Sequence, residues 1–365
     1  MQSRDLILST CGTSLLTNAA REPERRQQLV RLSNLKHREE VPDCDRPWAE
    51  ELLARVQEEL LAGDLVVVSK MSAELNALIR FYGGKASADR SHHILLCTDT
   101  WLGEATARII EAWFKKQGAS VNVIRQRDLQ TADLEAFQLA LSELVRWSEE
   151  TLPGYRERGY RIIFNLTGGF KSVQGFLQTI AMFYADEVIY LFQEANDLMR
   201  IPRLPIKLTA NDTVRQHLQV FRRLGASLGV AHTDGVPETL LMTVAGQTAL
   251  SPWGNLVWEQ SRKEIYRGRL WPSPSLKIRF GETFQESLRD LDSDWMALIN
   301  QKIDHLAQYL ETNLDRRSLD LKQLKGDPEL PSTHELDAGP DQGAKRIFGH
   351  YEGDQFVLDK LGNRL

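Results

Sequence analysis

The chain has 365 residues, of which 42% are hydrophobic, so it is long enough for two or three compact units with separate cores. A charged fraction of 26% and a mean hydropathy of −0.35 exclude a disordered chain. The net charge of −5 excludes a generally basic nucleic-acid binder. No apolar run approaches the roughly 20 residues that cross a bilayer.

The N-terminus and the cysteines indicate the cellular compartment. The chain opens directly on the apolar run 6–8, without the basic segment and cleavage site of a secretion signal. Cys11, Cys44 and Cys97 are an odd number at wide spacing, and none belongs to a CxxC or a Cys/His cluster. We therefore expect a cytoplasmic protein with no membrane contact, disulfide, metal or cofactor.

Short apolar runs alternate with helical patterns through the first 207 residues. Strands are predicted at residues 6–10, 64–69, 93–98, 121–124, 161–167 and 188–191. Strands that alternate with helices form right-handed crossovers and a mainly parallel sheet. Residues 1–207 are therefore expected to be one Rossmann-like, doubly wound α/β domain, with its ligand beyond the carboxyl ends of the strands.

The rest of the chain divides at the proline-rich run 272–275. Residues 208–272 are predicted to be a connector of helices plus a hairpin, in which Ser251 and Pro252 begin a helix. Residues 273–365 are predicted to be a small α+β domain with a strand, two helices and a C-terminal hairpin.

Two loops at predicted strand ends are rich in glycine and hydroxyl groups. The first is STCGTSLLTN at 9–18, and the second is NLTGGFKS at 165–172. Paired glycines let the backbone approach a ligand, and Lys171 can supply a positive charge. A P-loop is excluded because Phe170 stands where that motif needs glycine. Either loop, taken alone, could be an ordinary strand-to-helix turn with a helix cap.

Taken together, the two loops resemble the nucleotide-binding stretches of CARF domains, the Rossmann-like sensors of CRISPR-linked antiviral proteins. The resemblance covers about residues 3–205 and implies a homodimer that binds a cyclic oligoadenylate activator, with cyclic tetra-adenylate as the expected ring. A two-fold dimer suits a symmetric ring because each loop is presented twice. The ligand-binding residues that the resemblance implies are Thr10, Cys11, Gly12, Thr13, Ser14, Thr167, Gly168, Gly169, Lys171 and Ser172.

Two further residues are weaker ligand candidates. Lys70 lies in the stretch 69–74, which is predicted to follow a strand and resembles a further ligand-side segment. A surface lysine near a helix start is an equally good interpretation. Trp101 could stack on adenine, although a buried or interface tryptophan is commoner.

The C-terminal region lacks the motifs of two common nuclease classes. After residue 208 there is no Arg and His pair at the helical spacing of HEPN ribonucleases, and no convincing carboxylate–lysine set for a metal-dependent nuclease. The order strand, two helices and hairpin, with KRIFGHY at 345–351 and GNR at 362–364, resembles RelE-type mRNA interferases. This resemblance covers about residues 274–365.

The RelE resemblance implies metal-free attack of an RNA 2′-hydroxyl on the adjacent phosphate, on mRNA in the ribosome. The implied catalytic residues are Arg346, His350, Arg364, Lys345 and Tyr351. Strand alternation separates Arg346 and His350 from Lys345 and Tyr351 unless the strand bulges, so the first pair is favoured. His334 lies where the family has basic residues, beside the acidic Glu335.

Several interpretations remain open. Residues 273–365 contain 12 Lys and Arg against 17 Asp and Glu, so Lys345 and Arg346 could be solvated hairpin charges. The region 208–272 could instead be a winged helix of a DNA-binding regulator, although it offers few basic residues. The sensor domain could also cleave its own activator.

Overall fold

The computed structural model describes residues 4–86, 91–130, 133–192, 197–205, 211–314, 319–324, 331–339 and 345–363. The chain forms two compact units, Met1–Lys207 and Leu208–Leu365. Across these described ranges, every helix is too short or too polar to cross a membrane.

The N-terminal unit is built on a twisted, mainly parallel sheet with the strand order β3-β2-β1-β4-β5-β6. Only β6 runs antiparallel to its neighbour. The expected Rossmann-like α/β fold is therefore present in this unit. Its strands are β1 (Arg4–Cys11), β2 (His92–Cys97), β3 (Ser120–Arg125), β4 (Tyr160–Asn165), β5 (Glu187–Phe192) and β6 (Asp197–Pro202).

Helices cover this sheet, and side-chain caps mark where several of them begin. Ser72, Thr100 and Asp133 each accept a hydrogen bond from a backbone N–H in the first turn of α5, α6 and α7 respectively. The helices of the unit are α1 (Ser14–Ala19), α2 (Pro23–Leu32), α3 (Arg46–Ala62), α4 (Leu65–Met71), α5 (Ala73–Phe81), α6 (Trp101–Lys116), α7 (Leu134–Glu157) and α8 (Lys171–Tyr184).

The strand predicted at residues 64–69 is wrong, because this segment forms α4. Asp64 caps the helix by accepting hydrogen bonds from the N–H groups of Val66 and Val67, whose side chains are exposed. In the sheet, β1 already pairs with β2 on one side and with β4 on the other. The valines therefore have no strand position to occupy there, and the local cap overrides their β propensity.

The strand order places a topological switch point between β1 and β4. From β1 the chain proceeds outward through β2 and β3, and then returns to place β4 on the opposite side of β1. The crossovers on the two sides of β1 therefore diverge, which opens a crevice at the carboxyl ends of β1 and β4. Both glycine-bearing loops begin at this edge.

The C-terminal unit contains a five-stranded sheet, ordered β10-β11-β12-β13-β9, and a separate hairpin of β7 and β8. Strand β9 runs parallel to β13, and the other pairs are antiparallel. The strands are β7 (Leu241–Val244), β8 (Gln247–Leu250), β9 (Ile278–Phe280), β10 (Lys322–Gln323), β11 (His334–Asp337), β12 (Lys345–Glu352) and β13 (Gln355–Asn363).

The helices of this unit follow the sequence prediction with shifted bounds. The predicted start of α11 is confirmed, since Ser251 accepts a hydrogen bond from the Gly254 N–H and Pro252 is the first helical residue. The pattern of residues 213–224 predicts one helix, whereas the structure has two helices, with a break at His217. The helices are α9 (Asn211–Gln216), α10 (Leu218–Gly225), α11 (Pro252–Arg267), α12 (Glu282–Ser287) and α13 (Ser293–Thr312).

A buried polar network joins the parts of the C-terminal unit. The Arg222 side chain is 0% exposed; its Nε donates to Asp304 Oδ1 at 2.8 Å, and the Tyr266 hydroxyl donates to the same carboxylate. Desolvation raises the pKa of the Asp304 carboxyl, and the Arg222 charge opposes that rise. Residues 208–272 and 273–365 thus lie in one unit, and the expected functional division between them stays a prediction.

Candidate functional site

The two glycine-bearing loops pack directly against each other at the switch point of the N-terminal unit. A Cβ atom added to Gly12 would lie 3.0 Å from the Cα and N atoms of Gly169. Gly169 has a φ of +94°, which favours glycine, and the Thr10 hydroxyl donates to the carbonyl of Gly168. The loops therefore form one continuous surface that larger residues would force apart.

The buried carboxylate of Glu74 contacts both loops of this pair. Glu74 is 1% exposed. Its Oε1 accepts the Gly12 N–H at 2.9 Å, and its Oε2 accepts the hydroxyls of Ser14 at 2.8 Å and Ser72 at 2.7 Å. Charge-assisted hydrogen bonds of this kind are about twice as strong as neutral ones. Glu74 therefore ties the start of α5 to the loop after β1.

Asn165, the last residue of β4, provides the second connection. Its side-chain Nδ2 donates to Ser9 Oγ at 3.3 Å and to the Glu74 carbonyl at 3.1 Å, while its Oδ1 accepts the Thr167 N–H at 3.3 Å. The Thr167 hydroxyl oxygen accepts the Leu191 N–H at 3.1 Å. The loop after β4 is thereby fixed to β1, α5 and β5.

The N-terminus of α8 opens on the same edge of the sheet. Its N-cap residue, Phe170, provides no side-chain hydrogen bond, in contrast to the caps of α5, α6 and α7. Lys171 and Ser172 in the first turn are exposed. Uncapped N–H groups, the positive end of the helix dipole and a lysine together form a site that favours an anion such as phosphate.

The predicted ligand residues differ in their access to solvent. Thr10, Cys11, Gly12 and Gly168 are buried, Thr13, Ser14, Thr167 and Gly169 are partly buried, and Lys171 and Ser172 are exposed. Burial, reinforced by the charge of Glu74, raises the pKa of the Cys11 thiol well above its usual value. Cys11 is therefore a neutral packing residue beneath the loop, and the partly buried and exposed residues are the ones a ligand can reach.

The two weaker candidates both lie in helices. Lys70 lies in α4 and is exposed, so the expectation that it follows a strand end is wrong. Trp101 is the first residue of α6, where it is partly buried and packs against the hydrophobic core. Neither position tests their predicted contact with a ligand.

In the C-terminal unit, a bulge in β13 places Asp359 beside β12. Phe348 pairs with Lys360 and Gly349 pairs with Leu358, so Asp359 is an extra residue in β13. The bulge lies in β13, and residues 346, 348 and 350 of β12 keep to one face of the sheet.

Asp359 contacts two side chains that are distant in sequence. Its Oδ2 lies 2.9 Å and its Oδ1 3.1 Å from Nδ1 of His350, and Ser332 Oγ donates to Oδ2 at 2.9 Å. The side chain of His350 is 22% exposed and that of Asp359 is 9% exposed. The arrangement supplies an imidazole anchored on one side and accessible on the other, as proton transfer requires.

Arg346 lies inside the protein, so the interpretation that it is a solvated hairpin charge is wrong. Its side chain is 2% exposed, its Nη1 donates to Asp320 Oδ2 at 2.9 Å, and Asp337 Oδ1 is 3.9 Å away. Hydrogen bonds from Lys322 and Arg346 lower the pKa of the Asp320 carboxyl. Direct contact between Arg346 and RNA would therefore require Asp320 to move.

The other predicted catalytic residues are separate from His350. Lys345 Nζ lies 4.9 Å from the ring centroid of Trp295 in α13, on the helix-covered face. Tyr351 is 44% exposed and makes an edge-on ring contact with His334 at 5.2 Å. Burial raises the pKa of the Tyr351 hydroxyl and lowers that of His334. Arg364 lies outside the described residues.

Sequence reasoning missed Glu74, Asn165 and Asp359 as organising residues. Asp359 carries a visible signal, since it interrupts the apolar run Phe356-Val357-Leu358 where a β-strand disfavours aspartate. Glu74 gives no such signal, because a glutamate in the first turn of a helix is ordinary. Its role appears only once three segments meet around it.

Comparison with known proteins adds one finding, and it concerns the N-terminal unit. No match was found among curated proteins. Residues 69–204 contain Glu74, the strands β2–β6 and the loop after β4. This segment matches the family model described as CRISPR-associated protein (Cas_APE2256), and the match indicates a CRISPR-associated protein.

Proposed function

We propose that the N-terminal unit binds a cyclic oligoadenylate as a homodimer, and that binding switches on RNA cleavage by the C-terminal unit. The observation that carries this proposal is the meeting of two glycine-bearing loops at the switch point, beside the uncapped N-terminus of α8. Ligands of doubly wound sheets bind at this place, and phosphates bind helix N-termini.

The polar and charged side chains of the two loops and of the first turn of α8 suit a phosphate-linked ring. Lys171 and Ser172 can contact phosphate oxygens, and the partly buried Thr13, Ser14 and Thr167 supply polar atoms deeper in the crevice. A two-fold homodimer would present this set twice around one ring. The match to a CRISPR-associated family supports a role in antiviral signalling.

For the C-terminal unit we propose metal-free mRNA cleavage of the RelE type. The order β9, α12, α13 and the antiparallel strands β10–β13 supports the resemblance, as does the accessible His350. His350 would act in proton transfer during attack of the 2′-hydroxyl on phosphorus. The excess of acidic residues in 273–365 disfavours binding to free RNA, in agreement with the ribosome dependence that the RelE resemblance implies.

The test is to measure binding of cyclic tri-, tetra- and hexa-adenylate to the purified protein, and then to map mRNA ends after incubation with translating ribosomes. We expect one ring to bind and to induce cuts with 2′,3′-cyclic phosphate ends. Analysis of the recovered ring also shows whether the protein cleaves its activator. Absence of binding to every ring would refute the sensor assignment.

Lys171→Ala should weaken ring binding without removing the intrinsic cleavage activity at saturating ring. Lys85→Ala is the matched control, because Lys85 is exposed and lies between α5 and the amino end of β2, at the opposite edge of the sheet. Equal loss of affinity in both variants would show that Lys171 contributes only to the general charge of the unit.

A DNA-binding regulator is less well supported by the same structure. Helix α11, the candidate recognition helix, has ten buried residues among its sixteen. Its Arg262 pairs with Glu259 at 2.7 Å and its Arg267 pairs with Asp294 at 2.6 Å. A helix with its arginines neutralised in this way offers little charge to a phosphate backbone.

A further inference from the structure

The contact between His350 and Asp359 determines where the imidazole carries its proton. An ionised aspartate accepts hydrogen bonds but cannot donate them. Because Asp359 also accepts the Ser332 hydroxyl at 2.9 Å, its carboxylate faces two donors. The Nδ1 atom of His350, 2.9 Å from Oδ2, must then carry a hydrogen. In the neutral imidazole, Nε2 is left as an unprotonated acceptor.

The other ring nitrogen is free to meet a substrate. Within the described ranges, Nε2 of His350 makes no hydrogen bond, and it is not one of the buried polar atoms that lack a partner, so it is open to solvent. Asp359 is nearly buried, so its negative charge is screened by little water. In the His350–Asp359 pair, Nδ1 is therefore fixed by the buried carboxylate, and Nε2 is accessible to a substrate.

We propose that Asp359 is a positioning residue that holds His350 in the Nδ1–H form, so that Nε2 accepts the proton of an RNA 2′-hydroxyl, and that Ser332 in turn holds Asp359. This inference rests on the proposed ribonuclease function. The proton of the 2′-hydroxyl passes to Nε2 as its oxygen bonds to phosphorus. The bond from phosphorus to the 5′-oxygen breaks, and that oxygen takes a proton from water. The hydroxide so formed takes the proton from Nε2, which restores the neutral imidazole.

Other charged groups share this face of the sheet, and none replaces Asp359. Glu335 and Lys360 both pair with Phe348, which lies two residues before His350 in β12. The Nζ atom of Lys360 lies 5.5 Å from the ring centroid of Phe348. Arg346 is occupied by Asp320. Asp359 is therefore the carboxylate in hydrogen-bond contact with the imidazole.

The first test is the ¹⁵N NMR spectrum of histidine-labelled, full-length protein, with His350→Gln used to assign the signal. We expect the neutral ring of His350 to be protonated at Nδ1. Asp359→Ala should shift the signal toward the form protonated at Nε2. A wild-type ring protonated at Nε2 would overturn the proposal without any assay of cleavage.

The second test separates a positioning role from a folding role. It measures kcat and KM for mRNA cleavage by the ring-activated protein on translating ribosomes. His350→Gln should lower kcat about 10²–10⁴-fold, as loss of a general base does. Asp359→Ala should lower kcat about 10²-fold with little change in KM, and Ser332→Ala about five-fold, which corresponds to one hydrogen bond. Asp354→Ala, in the exposed turn of the same hairpin, is the control and should cut normally.

The outcomes distinguish this inference from the function on which it rests. If wild type does not cut RNA, or if His350→Gln cuts normally, the proposed function of this site fails and the catalytic role fails with it, whatever the NMR spectrum shows. If His350→Gln is inactive but Asp359→Ala cuts at the wild-type rate, the function stands and the positioning role is refuted. If Asp359→Ala does not fold, Ser332→Ala and the wild-type spectrum decide.

Discussion

The carboxylate of Glu74 lies where a side chain on Gly168 would have to be: a Cβ atom added to Gly168 would be 2.1 Å from Glu74 Oε1. Glu74 also accepts hydrogen bonds from Gly12 and Ser14, in the loop on the other side of the crevice. The glycine after β4 and the glutamate of α5 therefore require each other, since only glycine leaves room for the carboxylate that organises the loop after β1.

Gly168→Ala should disrupt the sensor site. The added methyl group would displace a buried carboxylate, so we expect a loss of about 1–3 kcal/mol in stability and a large loss of ring affinity. Thermal unfolding and isothermal titration calorimetry would measure these effects. Gly175→Ala, in α8 with no atom within 4 Å of its added Cβ, is the control and should be neutral or stabilising. Similar behaviour of the two variants would contradict the close packing.

Glu74→Gln should weaken ring binding while preserving the shape of the side chain. A neutral amide can accept the Gly12 N–H through its oxygen, but the two hydroxyls must then accept from its NH2 group, and all three hydrogen bonds lose the charge of the carboxylate. The expected cost is about 2 kcal/mol for a hydrogen bond to a charged group. Glu51→Gln on the exposed surface of α3 is the matched control. Unchanged affinity and stability in Glu74→Gln would show that the carboxylate does not organise the loop.

Arg346→Met should destabilise the C-terminal unit by about 1–3 kcal/mol, because it removes a hydrogen bond to Asp320 and the neighbouring charge of Asp337, while Asp320 stays 46% exposed and keeps its pair with Lys322. Urea unfolding measures this cost, and Arg289→Met, at an exposed i,i+3 pair, should cost less than about 1 kcal/mol.

Cleavage by Arg346 variants needs a companion experiment, since unfolding also abolishes it. The double variant Arg346→Met with Asp320→Asn should recover part of the stability, because it removes both charges of the pair and asparagine tolerates the positive φ of 44° at this position. If the guanidinium contacts RNA after activation, this stabilised variant should remain inactive. Full cleavage by the double variant would assign Arg346 a purely structural role.

Acid should weaken the N-terminal unit through Asp99. Burial opposes ionisation of this carboxyl, but hydrogen bonds from Lys36, the Asp128 N–H and Arg125 lower its pKa below the usual value. Its contribution is therefore complete above the unfolded-state pKa of about 3.9 and is lost as pH falls through the lower folded-state pKa.

Denaturant titrations at several pH values would test this dependence. Asp99→Asn should cost about 2 kcal/mol at neutral pH and should flatten the loss of stability in acid. Asp43→Asn is the control, because the Asp43 side chain is 93% exposed and its pair with Arg46 is solvated. If Asp99→Asn lost stability at low pH as steeply as the wild type does, Asp99 would not be the cause of that loss.

The local sequence was sufficient to predict most of the N-terminal sheet and the two loops at its edge. Runs such as Ile94-Leu95-Leu96 are too short for helices and are apolar on both faces, as a buried parallel strand must be. The paired glycines 168 and 169 indicated a close backbone approach, and Gly169 indeed has a positive φ. The cap at Ser251 and Pro252 was likewise readable, because capping depends on adjacent residues.

By itself, the sequence determined the alternation of strands and helices, the caps and the glycine-bearing turns, since these depend on residues a few positions apart. Tertiary structure decided that residues 66–68 lie outside the sheet, because both sides of β1 are taken by other strands. It also decided that Arg346 is neutralised inside the protein and that Asp359 reaches His350. The protonation and hydrogen bonding of such groups depend on partners that folding brings together. These partners cannot be identified from the spacing of residues along the chain.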